Sequence, residues 1–253
     1  MEATSNSPIG QPPTWVASRP IDSLTRNASW VLLGNLIFTA CQWAQLIVLA
    51  RLGSATMVGQ MALALAVTTP IQILANMALR EVQVTDARSE HGFRTYLAMR
   101  LLTTSLAMIL LVGIVLLSGY RRETVLVVLA VGAVKATESI TDIIHGYLQF
   151  HGSFDLIALS RASSGLLAVA ALIAGLLISG HLLGGVIAQI AVSIARFVAL
   201  DLPLIHRRHC GRFSLSPSFD RSSLANLAIL TAPLGIVAMM LSLNSSIPRY
   251  YIE

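Results

Sequence analysis

The sequence predicts an all-α fold, a polytopic membrane bundle of about seven transmembrane helices. Three observations carry this expectation. Hydrophobic residues make up 55% of the 253 residues and charged residues only 11%, where a soluble domain carries about a quarter of its residues as Asp, Glu, Lys and Arg. Stretches free of those four types run over residues 27–50, 52–79, 101–120, 162–195 and 222–248. A spanning helix needs about 20 apolar residues, so the stretch 162–195 exceeds one span and must break near "SGHLLGG", residues 179–185.

Taken in chain order, residues 1–26 carry four prolines among many Ser and Thr. They read as a disordered cytoplasmic tail, without the charged flank and cleavage pattern of a secretory signal. Spans follow at residues 28–50, 57–79, 96–118, 124–148, 156–179 and 181–203, together a six-helix transmembrane bundle over 27–203. Residues 204–226 form a basic cytoplasmic loop. Residues 227–253 hold a seventh transmembrane helix. Nearly all the positive charge is arginine, with Lys135 the one lysine. Since Lys and Arg are retained in cytoplasmic loops, a cytoplasmic N-terminus places nine arginines inside (19, 26, 80, 88, 94, 207, 208, 212 and 221) against three outside (51, 121 and 122).

Other chemistries leave little trace. Cys41 falls in a span and Cys210 in the basic loop, so no disulfide framework is expected. "HRRHC", residues 206–210, crowds its candidate metal ligands among arginines and reads as a basic, lipid-facing loop. Neither Asn27 nor Asn244 is a credible glycosylation acceptor, and "GHLLG", residues 180–184, reads as a turn. With no phosphate-binding glycine loop, no HExxH and no nucleophile elbow, no enzyme, cofactor, metal or nucleic-acid partner is expected.

Polar residues inside the spans carry the functional signal. At about 100° per residue, Asn35, Thr39, Gln42 and Gln45 share about a third of the first helix, and Thr69, Gln72 and Asn76 recur on one face of the second, beyond the kinking Pro70. Gln189, Ser193 and Arg196 line one face of the sixth, with Asp201 pointing elsewhere. The third span has little polar content beyond its inner end and is expected to face lipid. The fourth is the most charged. In "KATESITDIIH", residues 135–145, the side chains of Lys135, Glu138, Asp142 and His145, with Gln149 beyond, fall within an arc of about 80°. Lys135 would lie close to the midplane, where one charge costs about 2.5–3.5 kcal/mol on insertion scales. Stripes on several helices are what a bundle enclosing a wet cavity requires. Asn35, Gln42, Gln72, Asn76 and Gln189 are the cavity-lining candidates. Lys135, Glu138, Asp142, His145 and Arg196 are the binding or coupling candidates, with Glu138 and Asp142 close enough to share a titration.

Several stretches together carry a resemblance: "LARLGS" at 49–54, "VG" at 58–59, "NMALREVQVTD" at 76–86, "YLAMRL" at 96–101 and "APLGIVAMMLSLNSSIPRYYIE" at 232–253. In this order they resemble the first half of bacterial polysaccharide flippases of the Wzx type, in the superfamily that also holds multidrug and toxin extruders. The resemblance implies twelve or more spans in two halves, hence residues 227–253 as the start of a truncated second bundle, with five or more spans beyond this chain's seventh. It implies export of an undecaprenyl diphosphate-linked oligosaccharide across the bacterial inner membrane for O-antigen, capsule or exopolysaccharide assembly. Membrane lipids, a polysaccharide polymerase and assembly proteins would be its partners. Lys135 and Arg196 are the best-placed cations for the diphosphate, and Arg51 and Arg80 serve equally well as topology anchors. A cation-coupled multidrug extruder of the same superfamily, which would favour acidic and aromatic walls, and a non-transporting scaffold for polysaccharide assembly are the alternatives.

Overall fold

The computed structural model describes residues 21–86, 92–208 and 215–250, with the side chains of residues 25–86, 92–206 and 215–241. Among the described residues, seven helical stretches are long and apolar enough to cross a membrane. They are α1 (Ile21–Leu52); α2 (Ala55–Asn76), continued after a two-residue break as α3 (Leu79–Thr85); α4 (Phe93–Leu117); α5 (Arg122–Phe150); α6 (Phe154–Ser179); α7 (Leu182–Arg196), continued through a π-turn (Phe197–Asp201) into α8 (Leu202–Arg208); and α9 (Arg221–Tyr250). No strand is present among the described residues. The fold is the expected all-α polytopic bundle.

The boundaries follow local chemistry. The expected tail lies outside the described residues as far as residue 20, whereas Ile21 to Arg26 form the first turns of α1. Pro20 is the last helix-breaking residue before Gly34, so the backbone can wind from there on. Gly119, Gly152 and Gly180 adopt φ of +66°, +74° and +69° and end α4, α5 and α6, as glycine does where an L side chain is strained. Gly180 thus supplies the break expected within residues 179–185. Asp220 starts α9 six residues before the expected span: its carboxylate accepts from the Ser223 backbone N–H at 3.1 Å and from the hydroxyls of Ser222 and Ser223 at 2.8 and 2.6 Å, an N-terminal cap. Cys210 lies outside the described residues, and Cys41 is a buried free thiol.

Helix α5 is central, packing against α2, α3, α4, α6 and α7; α1 packs on α6, α6 on α7, and α9 on α2 and α4. Because lipid is as apolar as leucine, close approach rather than hydrophobicity drives such contacts. A Cβ on Gly165 of α6 would lie 2.9 Å from Cys41 Cβ, so only glycine lets α1 sit this close. The interior divides along α5 into three zones. Near the Gly180 end, Val127, Val128 and Val131 join Leu49, Met61, Leu111, Val115 and Leu182 in one apolar cluster; near the Gly152 end, Ile143, Ile144 and Leu148 join Leu79, Tyr96, Leu156 and Ile205 in another. Between them lies the polar stretch from Lys135 to Asp142.

Helix α4 corrects one expectation. One side, with Leu102, Leu106 and Ile109, is exposed as a lipid-facing surface should be, but Tyr96, Arg100, Thr103, Thr104, Ala107 and Leu111 are buried against the bundle. Their spacing is that of one helical face. A span read as nearly apolar contributes the most deeply buried charge among the described residues, Arg100 at 0% exposure.

Candidate functional site

The α5 stripe becomes a wall. Lys135, Glu138, Asp142 and His145 all line a cavity of ≈ 420 Å³, together with Gln72 and Asn76 of α2, Arg161 of α6 and Arg196 of α7. A second cavity of ≈ 640 Å³, lined by Arg80, Arg100, Arg161, Asp142 and Gln149, lies on the other side of Asp142. Asn76, Asp142 and Arg161 border both. From its place in α5, Lys135 lies near the middle of the helix and Asp142 about 12 Å from its Gly152 end.

Asp142 is the centre of a cationic knot. Its Oδ1 receives Arg80 Nη1 at 2.9 Å and lies 3.7 Å from Arg161 Nη2, while its Oδ2 receives Arg100 Nη2 at 3.4 Å. Four elements meet there: α3, α4, α5 and α6. Supporting hydrogen bonds fix two of the arginines. Arg80 Nη2 donates to Gln149 at 2.8 Å, and Arg100 Nη1 donates to the Asn76 side chain at 2.5 Å and to Ser139 at 3.3 Å. Ser139 donates to the same Asn76 oxygen at 3.0 Å. Arg161 is less committed: it lies over the Phe38 ring at 5.3 Å and its side chain remains 27% exposed. Three guanidinium groups share the Asp142 carboxylate, and Glu81, on the wall of the second cavity, is the other carboxylate beside them, so the knot keeps more cations than carboxylates.

The sequence-predicted cations are differently placed. Lys135 Nζ is 2.8 Å from Glu138, three residues on. Arg196 Nη1 donates to Asp201 at 2.7 Å and to the Ser160 hydroxyl at 3.1 Å, and that hydroxyl also bonds His145 Nε2 at 2.9 Å. Asp201 therefore does not point elsewhere. In an α-helix a residue five positions on lies about 140° away, but the π-turn between them, with its Leu202 N–H to Phe197 carbonyl bond, widens the winding and returns Asp201 beneath Arg196. Pro203 is the local cause: it has no N–H for the Ala199 carbonyl and its ring crowds that oxygen. Glu138 and Asp142, one turn apart, take different ion-pair partners, Lys135 for Glu138 and Arg80, Arg100 and Arg161 for Asp142.

Among the polar candidates, Gln72 and Asn76 line the first cavity and hydrogen-bond each other at 3.3 Å. Asn35, Gln42 and Gln189 line neither cavity. The ridge of α1 that meets α6 runs through Gly34, Phe38 and Cys41, so Asn35 and Gln42, one residue round the helix, turn aside; Asn35 is exposed and Gln42 half-buried. Gln189 is buried because its amide donates to Gln45 at 2.8 Å and to the Ala168 carbonyl at 3.1 Å, tying α7 to α1 and α6. Arg80, Arg100 and Arg161 were legible only as charges near span ends. No spacing within one segment marks them, because it is the packing of each helix on α5 that brings them to the level of Asp142.

Fold and site define a class: a multi-pass helical bundle whose interior sets three arginines on one aspartate between two cavities with charged and amide side chains on their walls. The chain is 24% identical over 230 residues to a protein named capsular polysaccharide biosynthesis protein CapF, from Staphylococcus aureus, a match covering 91% of this chain and 57% of that protein. The chain thus spans just over half the length of that relative. No protein-family model and no solved structure matches the chain.

Proposed function

We propose that this chain is a lobe of a transporter that moves a lipid-linked, phosphate-bearing saccharide across the bacterial inner membrane for surface polysaccharide assembly, as a flippase of the Wzx type. One observation carries the reading: Arg80, Arg100 and Arg161 converge on the single carboxylate of Asp142 beside two cavities. A diphosphate needs cations, and a guanidinium's fork of donors suits it. The saccharide needs hydroxyl and amide walls, which Gln72, Asn76, Thr137, Ser164 and Ser193 provide. The capsular name of the distant relative supports the saccharide class. Lys135 and Arg196, neutralised by Glu138 and Asp201, serve the site's architecture and the knot holds the phosphates.

In this reading the N-terminus and the 215–220 segment are cytoplasmic, from the bias of nine arginines to three. Periplasmic labelling of a cysteine placed at Ser216, in a background lacking Cys41 and Cys210, would reverse it. The site itself is tested in nanodiscs with a fluorescent short-chain polyprenyl diphosphate disaccharide. Arg161→Ala is expected to weaken binding by about tenfold or more, the worth of one charge-assisted hydrogen bond, whereas Arg51→Ala leaves it unchanged. Equal binding by wild type and Arg161→Ala sinks the assignment.

A further inference from the structure

The second membrane span is not one helix. Between α2 and α3, Met77 and Ala78 both adopt left-handed backbone, with φ of 47° and 49°, a conformation that costs any residue with a Cβ. Among the described residues no other non-glycine residue has positive φ. Neither is a glycine, so something outside the local sequence holds the break.

That something is α9. A Cβ on Gly235 would lie 2.8 Å from Met77 Cα and 3.3 Å from the Leu74 carbonyl, the same carbonyl that accepts the Met77 N–H at 3.2 Å and closes α2. The α9 backbone therefore rests directly on the break. The contacting face is continuous: Leu227 and Thr231 are buried, Gly235 sits on Met77, and Ala238 forms part of the wall of the ≈ 640 Å³ cavity beside Ala78 and Arg80. Positions 227, 231, 235 and 238 share one side of a helix.

The residues flanking the break carry the knot. Asn76, the last residue of α2, receives Arg100 and Ser139; Arg80, the second residue of α3, holds Asp142 and Gln149. A change of backbone at Met77 and Ala78 must reorient Arg80 relative to Asn76, and with it the number of cations on Asp142.

We infer that the Met77–Ala78 break is a hinge worked by α9 through Gly235, which sets whether Arg80 is held at Asp142 or released to the cavity. Helix α9 follows the six-span bundle in the chain, so its motion is transmitted to the knot by backbone contact. This describes regulation of the site proposed above and rests on that reading for its consequence in transport; the hinge itself does not.

The test uses the whole chain in nanodiscs with Cys41→Ala and Cys210→Ser, spin-labelled at Thr85→Cys and Phe150→Cys, exposed positions near the ends of α3 and α5. Wild type is expected to give one narrow distance distribution. Gly235→Val, which pushes on Met77, shifts it to longer distance; Gly235→Ala shifts it partly. Ala78→Gly removes the cost of the left-handed turn at its position, Met77→Gly does so while also removing the side chain that lies against Gly235, both change the balance, and Arg80→Ala broadens the distribution by deleting the clasp. Gly59→Val, a site on α2 with open space around it, leaves it unchanged. Wild-type distributions in Gly235→Ala, Met77→Gly and Ala78→Gly would make the break a fixed bend and overturn the inference. Since no ligand is added, loss of diphosphate-lipid binding in the assay above would remove the site reading while leaving this result standing.

Discussion

Asp142 and Asp201 are both carboxylates bound by arginine inside the bundle, and they do opposite things. Asp201 has one guanidinium at 2.7 Å, with both side chains at most 5% exposed, and Ser160 and His145 complete a unit closed in its pairing and balanced in charge across α5, α6 and α7, though Arg196 and His145 also border the ≈ 420 Å³ cavity. Asp142 has three guanidiniums at 2.9 to 3.7 Å, remains 26% exposed and opens onto two cavities. In a low-dielectric interior a matched, hydrogen-bonded pair can be tolerated, and an excess of cations only where water or an anion reaches them. The closed unit therefore holds three helices together, and the open one is left with charge to offer. A charged residue in a membrane span is not evidence of a binding site until its partners are counted.

The sharpest way to break this contrast is at the closed pair. Asp201→Ala leaves Arg196 buried without its anion and is expected to cost about 3–5 kcal/mol, read as a fall in the unfolding midpoint in detergent. The combined change Arg196→Met with Asp201→Leu should recover most of that loss, since similar volume fills the space without charge. Failure of the double variant to recover would show that the pair does more than balance itself.

Asp142→Asn is expected to be milder, about 1–3 kcal/mol, because the arginines keep Gln149, Asn76 and Ser139 as acceptors and face open cavities. Adding a polyprenyl diphosphate should then raise the unfolding midpoint more in the variant than in wild type, as the ligand replaces the missing anion. An equal rise in both would argue that Asp142 and the phosphates do not share the same cations.

Arg161→Ala is expected to cost under about 1 kcal/mol of stability, the scale of a partly exposed ion pair, although it weakens ligand binding. A large loss of stability would move Arg161 from the open class to the closed one. The smallest effect lies at Asp220, outside the spans. Hydrogen bonds from Ser223 and Ser222 lower its pKa from 3.8 to about 2. A carboxyl lowered on folding favours the folded state above its unfolded pKa, and that contribution is lost as pH falls through the folded value. The first turn of α9 should accordingly hold at pH 4 and loosen toward pH 2, followed by the Asp220 carboxyl signal in a ¹³C NMR titration; Asp220→Asn should keep the cap and lose the pH dependence.

Hydropathy alone located the seven spans, because a membrane allows so few backbone arrangements that length and polarity nearly decide them. The turn at Gly180 and the cavity wall from Lys135 to His145 were equally legible, since helical periodicity belongs to one segment. Angular position within one helix could not say which neighbour a stripe meets. Asn35 and Gln42 missed the cavities for that reason, and Arg100 was passed over as the inner end of a lipid-facing span.

By itself, then, the sequence determined the helical class, the placement of the spans and the polar face of α5, all properties of local spacing and of transfer from water to lipid. The tertiary structure decided the partners. It set three arginines from three elements on Asp142, wound a π-turn so that Asp201 reached Arg196, and laid Gly235 on the break at Met77. Each joins segments far apart in the chain or departs from ideal winding, and neither can be computed from 100° per residue.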